Sequence, residues 1–261
     1  MRALFTAATG MNAQQTRLDA ISNNLANVNT TGFKRGRADF QDLFYETLRT
    51  PGAMSTAGNV IPTGVQIGSG VRLASVSRHF SQGDALRTDG QLDLAVQGDG
   101  FFQVTKPDGE TVYTRDGSFK LDQDGNVVTN EGFQMIPNIT IPTDALEVTV
   151  LRDGTVSVLQ SGSSTPIEAG QIELARFANP AGLRGIGANF FTETEASGSA
   201  ELGIPDESGF GEIAQGFLES SNVNVAEELV SMILAQRAFE MNSRVIQAGD
   251  EMMQVVGALS R

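Results

Sequence analysis

The clearest helical pattern in the chain is the sequence ALFTAATGMNAQQTRLDAISNNLANVN, residues 3–29. Its apolar residues recur at alternating spacings of three and four, interrupted once by Gln14: Leu4, Ala7, Met11, Leu18, Ile21, Leu25 and Val28. This heptad places the apolar side chains along one side of an α-helix. The sequence therefore predicts an N-terminal helix over 3–29 that ends at Thr30-Thr31-Gly32, with Gly32 in the left-handed conformation.

The C-terminal segment has the same periodicity on two sides. Asn224 and Glu227 have the spacing of an N-cap and a capping box, so a helix is predicted to begin there. A strict heptad row follows: Leu234, Ala238, Met241, Val245, Ala248, Met252, Val255 and Leu259. A weaker row lies about 160° around the helix: Leu229, Met232, Gln236, Phe239, Ser243, Ile246, Asp250 and Met253.

Two apolar rows on one helix require neighbours on both sides. One neighbour is expected to be the N-terminal helix, paired with it as a coiled coil, and the simplest second neighbour is an identical subunit. The predicted self-assembly residues are Leu4, Met11, Leu18, Ile21, Leu25, Val28, Leu229, Met232, Leu234, Phe239, Met241, Val245, Ile246, Met252, Val255 and Leu259.

The middle of the chain has the shorter period of β-strands. Short alternating runs are separated by Asp-Gly pairs, which favour tight hairpin turns: Asp99-Gly100, Asp108-Gly109, Asp116-Gly117, Asp124-Gly125 and Asp153-Gly154. The predicted fold class is therefore α+β, with an antiparallel all-β domain inserted between the terminal helices and extended irregular arms connecting them.

The expected domain organisation has three parts. The terminal helical domain comprises 1–32 and 216–261, the connecting arm comprises 33–93 and 184–215, and the outer β domain comprises 94–183. Within the arm, residues 46–72 are rich in proline and glycine, which predicts either an irregular extended segment or a two-stranded excursion.

Composition excludes several classes of function. The 261 residues include 18 basic and 31 acidic ones, a formal charge of −13, which disfavours nucleic acids and anionic membranes as partners. The sequence has no long apolar run, so no membrane insertion is expected. Cysteine is absent and His79 is the single histidine. We therefore expect no catalytic, cofactor-binding or metal-binding residues, no cofactor and no enzymatic activity; a secreted enzyme would have to depend on His79.

Four separated motifs resemble those of the flagellar axial proteins of the rod and hook. They are ISNNLANVNTTGFK at 21–34, GDGFFQV at 98–104, YTRDGSF at 113–119, and SNVNVAEELV at 221–230 followed by QRAFE at 236–240. They follow one another in the family's order over nearly the whole chain. Within that family, the length and the segments 45–53 and 62–68 most resemble the distal members of the rod.

The resemblance implies a structural subunit of the bacterial flagellar distal rod, which polymerises into a rigid, hollow, helical drive shaft that transmits torque from motor to hook. It implies these partners: copies of the chain itself, proximal rod proteins, the hook protein, the peptidoglycan (P) ring and outer-membrane (L) ring proteins, the rod cap and the flagellar type III export gate. The expected location is the basal body, in the rod that spans the periplasm to the outer membrane, after synthesis in the cytoplasm and export without a cleaved signal peptide. The alternatives are a proximal rod or hook subunit, or a non-flagellar coiled-coil scaffold.

Two shorter segments acquire expected roles from the same resemblance. The stretch at about 46–68 is similar to one that stiffens the distal rod, and its marked residues are Pro51, Gly52, Pro62 and Gly64. The segment FQDLF at 40–44 resembles an export-gate motif, with Phe40, Leu43 and Phe44 as its apolar residues. Packing of these three side chains onto the core is the alternative, and the two interpretations do not exclude each other.

Overall fold

The computed structural model describes residues 2–52, 63–162 and 165–259, without the side chains of 256 and 259. Two long helices, α1 (Arg2–Ala26) and α2 (Val225–Leu259), lie at the ends of the sequence, and antiparallel strands lie between them. The fold is therefore α+β. The chain divides into unit 1 (Met1–Leu25, Gly36–Ser77 and Asn224–Arg261) and unit 2 (Ala26–Arg35 and Arg78–Val223). Neither helix, over its described residues, is long and apolar enough to cross a membrane.

Unit 1 contains both helices and four strands. The strands are β1 (Gly36–Asp42), β2 (Tyr45–Arg49), β3 (Val65–Gly68) and β4 (Val71–Arg78). β1 pairs with β4, and β2 pairs antiparallel with β3. The segment 46–72 is therefore a two-stranded excursion, one of the two structures predicted for it. Residues 53–62, which include Pro62, lie outside the described residues.

α1 ends at Ala26, three residues before the predicted end at 29. The Asn24 side chain donates to the Gly36 carbonyl at 2.9 Å and accepts from the Gly36 N–H at 2.8 Å, which draws the following chain back to the last turn of the helix. Gly32 has the predicted left-handed conformation, with φ +67°. Its N–H donates to the Glu219 carbonyl at 2.8 Å, so Gly32 serves a close backbone approach rather than a helix cap.

α2 begins where the sequence predicts. The Asn224 side-chain oxygen accepts from the N–H groups of Ala226 at 3.0 Å and Glu227 at 3.4 Å, which confirms Asn224 as the N-cap. Acidic side chains in the first turn also stabilise the positive end of the helix dipole.

The two helices approach each other closely at two glycines. A Cβ added at Gly10 of α1 would lie 2.9 Å from Asn242 Nδ2 of α2, and one added at Gly249 of α2 would meet the side chain of Leu4 of α1. Because the two pairs run in opposite order along the helices, α1 and α2 are antiparallel where they meet.

Unit 2 is an assembly of short antiparallel strands. In chain order they are β5 (Ala85–Arg87), β6 (Leu94–Gln97), β7 (Phe101–Thr105), β8 (Thr111–Thr114), β9 (Lys120–Leu121), β10 (Val127–Val128), β11 (Gln134–Ile136), β12 (Ala145–Val150), β13 (Thr155–Gln160), β14 (Ile167–Gln171), β15 (Leu174–Arg176), β16 (Arg184–Gly187), β17 (Phe190–Thr192), β18 (Glu201–Gly203), β19 (Glu212–Gln215) and β20 (Phe217–Glu219). A short 3₁₀ helix covers Pro180–Gly182.

The main sheet of unit 2 has the order β16-β17-β8-β7-β11-β10-β9, with β15 also pairing with β7 and β18 pairing with β15. β12, β13 and β14 form a second sheet, while β6 pairs with β19 and β5 with β20. The largest core cluster lies in this unit and is built around fully buried residues such as Phe102, Val104, Val112 and Leu174.

Three of the five predicted Asp-Gly hairpins are confirmed. They connect β7 to β8, β9 to β10 and β12 to β13, and Gly109, Gly125 and Gly154 have φ values of +86°, +80° and +81°. The other two predictions are wrong, because β6 pairs with β19 and β8 pairs with β17 and β7. At Gly117 an added Cβ would overlap the Leu94 carbonyl oxygen, so this glycine permits a close crossing rather than a hairpin turn.

The boundaries of the β part also differ from the predicted 94–183. Residues 184–215, placed in the connecting arm by the sequence, form β16 to β19, of which β16, β17 and β18 belong to the main sheet. Residues 216–223, placed with the terminal helices, include β20, which pairs with β5. Apart from the β16–β17 hairpin, whose turn residues Ala188 and Asn189 both have positive φ, these strands pair with strands distant in sequence, so no local hairpin signal predicts them.

Replacing Gly117 by alanine tests its role in the close approach of the backbone at Leu94. We expect Gly117→Ala to lower the free energy of unfolding of unit 2 by about 3 kcal/mol, because the methyl group overlaps backbone atoms that cannot move away. Gly109→Ala is the matched control, since Gly109 has open space around it and only a positive φ, for which about 1 kcal/mol is expected. Urea unfolding of both variants measures the difference, and equal losses would contradict this role for Gly117.

Candidate assembly surface and junction cluster

The apolar row of α1 is its shielded side. Ala7 and Ile21 are buried, and Leu4, Met11, Leu18 and Leu25 are half-buried. Val28, the last residue of the predicted row, lies in the turn after the helix and is also half-buried. The heptad therefore identifies the side of α1 that faces the rest of the chain.

α2 is shielded along a different side from the one that its strict row indicated. Its most shielded side runs along Glu228, Met232, Ala235, Asn242, Ile246 and Gly249, of which Asn242 and Gly249 meet α1. This side includes Met232 and Ile246 of the weaker row, while Leu229 and Phe239 of that row are exposed. The small residue Gly249 explains the choice, because it lets Leu4 of α1 approach closely.

The strict row of α2 is exposed in the single chain. Leu234, Met241, Met252 and Val255 are between 60 and 64% exposed, and Val245 is also exposed. The side chain of Leu259 lies outside the described residues. The strict row, Leu234 to Val255, is called the outer row below. Its large side chains are exposed in the described part of this chain, while Ala238 between them is half-buried.

The β2–β3 hairpin is a second exposed apolar surface. Every residue of both strands is exposed, including Leu48 and Ile67. Gly64 lies opposite Pro51, since an added Cβ would be 2.6 Å from Pro51 Cδ, and Gly52 has φ +83° with open space around it. The structure thus brings Pro51 and Gly64 of the expected stiffening stretch together; Pro62 is not among the described residues.

The predicted export-gate residues differ in their surroundings. Phe40 lies in β1 and is half-buried, and Leu43 is half-buried just after it. Phe44 is 92% exposed, so the interpretation that all three side chains pack onto the core is wrong for Phe44. The reason is that β1 ends at Asp42, and the chain turns there toward the exposed β2–β3 hairpin.

His79 follows β4 directly and takes part in backbone contacts. Its N–H donates to the Arg35 carbonyl at 2.8 Å, and its carbonyl accepts from Asn222 Nδ2 at 2.8 Å. Across residues 2–52, 63–162 and 165–259, no group of three or more acidic or histidine side chains is arranged to hold a metal ion.

A buried ion pair in unit 2 was missed by the sequence analysis. The side chains of Lys34 and Glu219 are 0 and 2% exposed, and Lys34 Nζ lies 2.5 Å from Glu219 Oε1. Lys34 also donates to the Ser81 carbonyl at 2.8 Å. Burial lowers the pKa of Lys34, and the neighbouring Glu219 carboxylate opposes this by stabilising the ammonium form.

Further groups complete the surroundings of Glu219. The Gly83 N–H donates to Glu219 Oε1 at 2.9 Å, and the Arg115 guanidinium lies 3.6 Å from Oε2. Burial also lowers the pKa of Arg115, which Glu219 partly offsets. The carboxylate therefore stabilises two buried cations and is stabilised by them in return.

Asn222 and Thr31 extend these contacts to the neighbouring backbone. Asn222 accepts from the Arg35 N–H at 2.8 Å and donates to the carbonyls of His79 at 2.8 Å and Ser81 at 3.0 Å. The Thr31 hydroxyl donates to Asp116 at 2.9 Å. The four side chains Thr31, Lys34, Glu219 and Asn222 are called the junction cluster below. The available signal was that three of them lie in, and Glu219 just before, the two terminal motifs at 21–34 and 221–230.

Comparison with protein families gives a consistent result over the chain. Residues 4–34 match the family described as "Flagella basal body rod protein", and residues 95–158 match "Flagellar hook protein FlgE/F/G D1 domain". Residues 214–259 match "Flagellar basal body rod FlgEFG protein C-terminal". The matched ranges include both helices and the first part of the β region.

Curated relatives align over the full length. The flagellar basal-body rod protein FlgG of Borreliella burgdorferi is 49% identical over 100% of this chain and 99% of its own. The FlgG proteins of Caulobacter vibrioides and Bacillus subtilis are 49 and 40% identical, over 99 and 100% of this chain and 99 and 100% of theirs.

Lys34→Met tests the energetic weight of the buried pair. It leaves the Glu219 carboxylate buried beside Arg115 alone, so we expect the free energy of unfolding to fall by about 3–5 kcal/mol. Lys106→Met is the matched control, because Lys106 pairs with Glu110 in an exposed hairpin turn, and no measurable loss is expected there. Thermal and urea unfolding check both; a Lys34→Met protein as stable as the control would contradict a structural role for the pair.

Proposed function

The chain belongs to the family of flagellar basal-body rod proteins, and from this premise we propose that it is a structural subunit of the distal rod. In this role many copies polymerise into a rigid, hollow, helical shaft that carries torque from the motor to the hook. The observation that carries the proposal is the outer row of α2, an apolar helix side that the described part of a single chain leaves exposed. Relatives named FlgG that align from end to end give the specific assignment.

We propose that α1 and α2 pair as an antiparallel coiled coil within each subunit. The close approaches at Gly10 and Gly249 support this pairing, as does the shielding of the α1 apolar row. The inner wall of the tube would then consist of such helix pairs.

The outer row supplies the contacts between subunits in this proposal. Its exposed Leu, Met and Val side chains leave water when a neighbouring copy covers them, and burial of apolar surface contributes about 25 cal/mol per Å². The predicted self-assembly residues that are already shielded, such as Leu18 and Ile21, would act within the subunit instead.

The β2–β3 hairpin is proposed to lie against neighbouring subunits and to stiffen the shaft. A two-stranded hairpin alone is marginally stable in water, and both strands here expose apolar side chains, Tyr45, Leu48, Val65 and Ile67. Contact with another copy would bury these residues and fix the stretch that contains Pro51, Gly52, Pro62 and Gly64. Phe40, Leu43 and Phe44 remain the proposed export-gate motif, which would act before the chain folds.

The remaining partners and the location follow from the same role. We propose contacts with proximal rod proteins, the hook protein, the P-ring and L-ring proteins and the rod cap, in the rod that spans the periplasm to the outer membrane. Export through the flagellar type III apparatus would deliver the subunits. The family is one of structural proteins, so the function is mechanical rather than catalytic.

Charged substitutions in the outer row test the proposed assembly. Met241→Lys with Met252→Lys would place ammonium groups in a subunit contact, and burying an unpaired charge costs several kcal/mol. We therefore expect the critical concentration for polymerisation into straight tubes to rise at least about tenfold. Gln247→Lys, on another side of α2, is the control. Sedimentation and electron microscopy measure the effect, and normal tube formation by the double variant would contradict the proposed role of the outer row.

The stability of the helical ends in a dilute monomer provides a second test. Helices with an uncovered apolar side are held by few contacts and unfold locally at low cost. We expect limited proteolysis of the monomer to remove residues 1–30 and 225–261 well before it cleaves the β strands of unit 2, and assembly to protect both ends. Mass spectrometry of the fragments identifies the cut sites. Intact ends in the dilute monomer would contradict the proposal that contacts between subunits cover the helices.

A further inference from the structure

We propose that the junction cluster holds the segment after α1 beside the segment before α2, so that the two helices pair within one chain rather than between chains. The inference rests on the proposed function, because it concerns how a subunit presents a finished helix pair for assembly. It assigns a role to Thr31, Lys34, Glu219 and Asn222 that is separate from the contacts between subunits.

The cluster joins two segments that are far apart in the sequence. Lys34 and Glu219 are separated by 185 residues, yet their side chains form a buried ion pair. The Gly32 N–H donates to the Glu219 carbonyl, and the Arg35 N–H donates to the Asn222 side chain, each at 2.8 Å. Three ties therefore hold 32–35, which follow the end of α1, beside 219–222, which precede the start of α2.

The ties are difficult to open. Lys34 and Glu219 are almost fully buried, and separating them would leave two uncompensated charges in a low-dielectric interior. Thr31 adds a bond from its hydroxyl to Asp116, and its carbonyl accepts from Asn189 Nδ2 at 2.9 Å. The segment after α1 is thus fixed to unit 2 independently of whether the helices are paired.

This attachment shortens the loop of chain that is closed when α1 pairs with α2. Before β1 pairs with β4, the path between Gly10 and Asn242 through the cluster is about 40 residues, whereas a path that next meets unit 2 at Arg78 is about 90 residues. The longer path lowers the effective concentration of one helix near the other about threefold. Pairing of a helix with one from another copy is then favoured about threefold more, relative to pairing within the chain.

Disulfide trapping tests the cluster in the full-length chain, which contains no cysteine. Gly10→Cys with Asn242→Cys places one thiol on each helix where the two approach closely. Oxidation of dilute monomer as it refolds from urea, followed by non-reducing electrophoresis, separates the internal disulfide from linked dimers. With the cluster intact, we expect the internal disulfide to be the main product.

Lys34→Met combined with Asn222→Ala in this background removes the buried ion pair and the side-chain ties to Arg35, His79 and Ser81. We expect internal disulfide formation to slow at least about threefold and linked dimers to increase. Asn179→Ala is the matched control, because it removes a side-chain bond to Ala196 elsewhere in unit 2. Equal rates for the two variants would overturn the proposal, as would a predominance of linked dimers with the cluster intact.

A further measurement covers the case in which the double variant destabilises unit 2. Urea unfolding identifies conditions in which unit 2 of each variant is folded, and the closure rates are compared under those conditions; a double variant that closes as fast as Asn179→Ala there would again overturn the proposal. Tube formation is measured separately. A chain that polymerises normally while its closure rate is insensitive to these changes would refute the junction role and leave the proposed function standing.

Discussion

The two helices lie at opposite ends of the sequence, so the fold depends on closing the chain between Ala26 and Val225. Unit 2 achieves this by pairing strands from its two ends: β5 with β20 and β6 with β19. The buried Lys34–Glu219 pair adds the segment that follows α1 to the same region. Closing so long a chain has an entropic cost. Once unit 2 has closed it, the two helices can pair through local contacts.

The features that the sequence predicted are those with local causes. The N-cap of α2 depends on Asn224 and the residues just after it, and each confirmed hairpin depends on an Asp-Gly turn between adjacent strands. The pairing of β17 with β8 lacks such a signal, since nothing in a short run such as Phe190–Thr192 specifies a partner far away. Gly117 shows the same limit, because its role is set by the Leu94 carbonyl, which only the tertiary fold brings to it.

The candidate site was predictable to a similar degree. Periodicity identified apolar sides on both helices but not which side of α2 would face α1. Bulk at the contact decides that question, since Gly249 accommodates Leu4 and Gly10 accommodates Asn242 at the points of closest approach. The more regular row, with Met241 and Met252, consists of larger side chains and remains exposed. A hydrophobicity pattern measures how apolar a side is, whereas close packing also requires small residues.

The chemistry of the junction cluster suits a different requirement from that of the outer row. The free energy of apolar contacts depends little on their orientation, so the outer row can contribute to assembly over a broad surface. A buried ion pair is a poor source of net stability, but it is satisfied in few geometries, because Lys34 and Glu219 must each keep their remaining hydrogen-bond partners, Ser81 and Gly83. A subunit of a regular polymer needs both properties: strong contacts between copies, and one fixed arrangement of the chain that presents them. Placing the charged groups where the ends of the chain meet, and the apolar row where copies meet, separates these two requirements within one molecule.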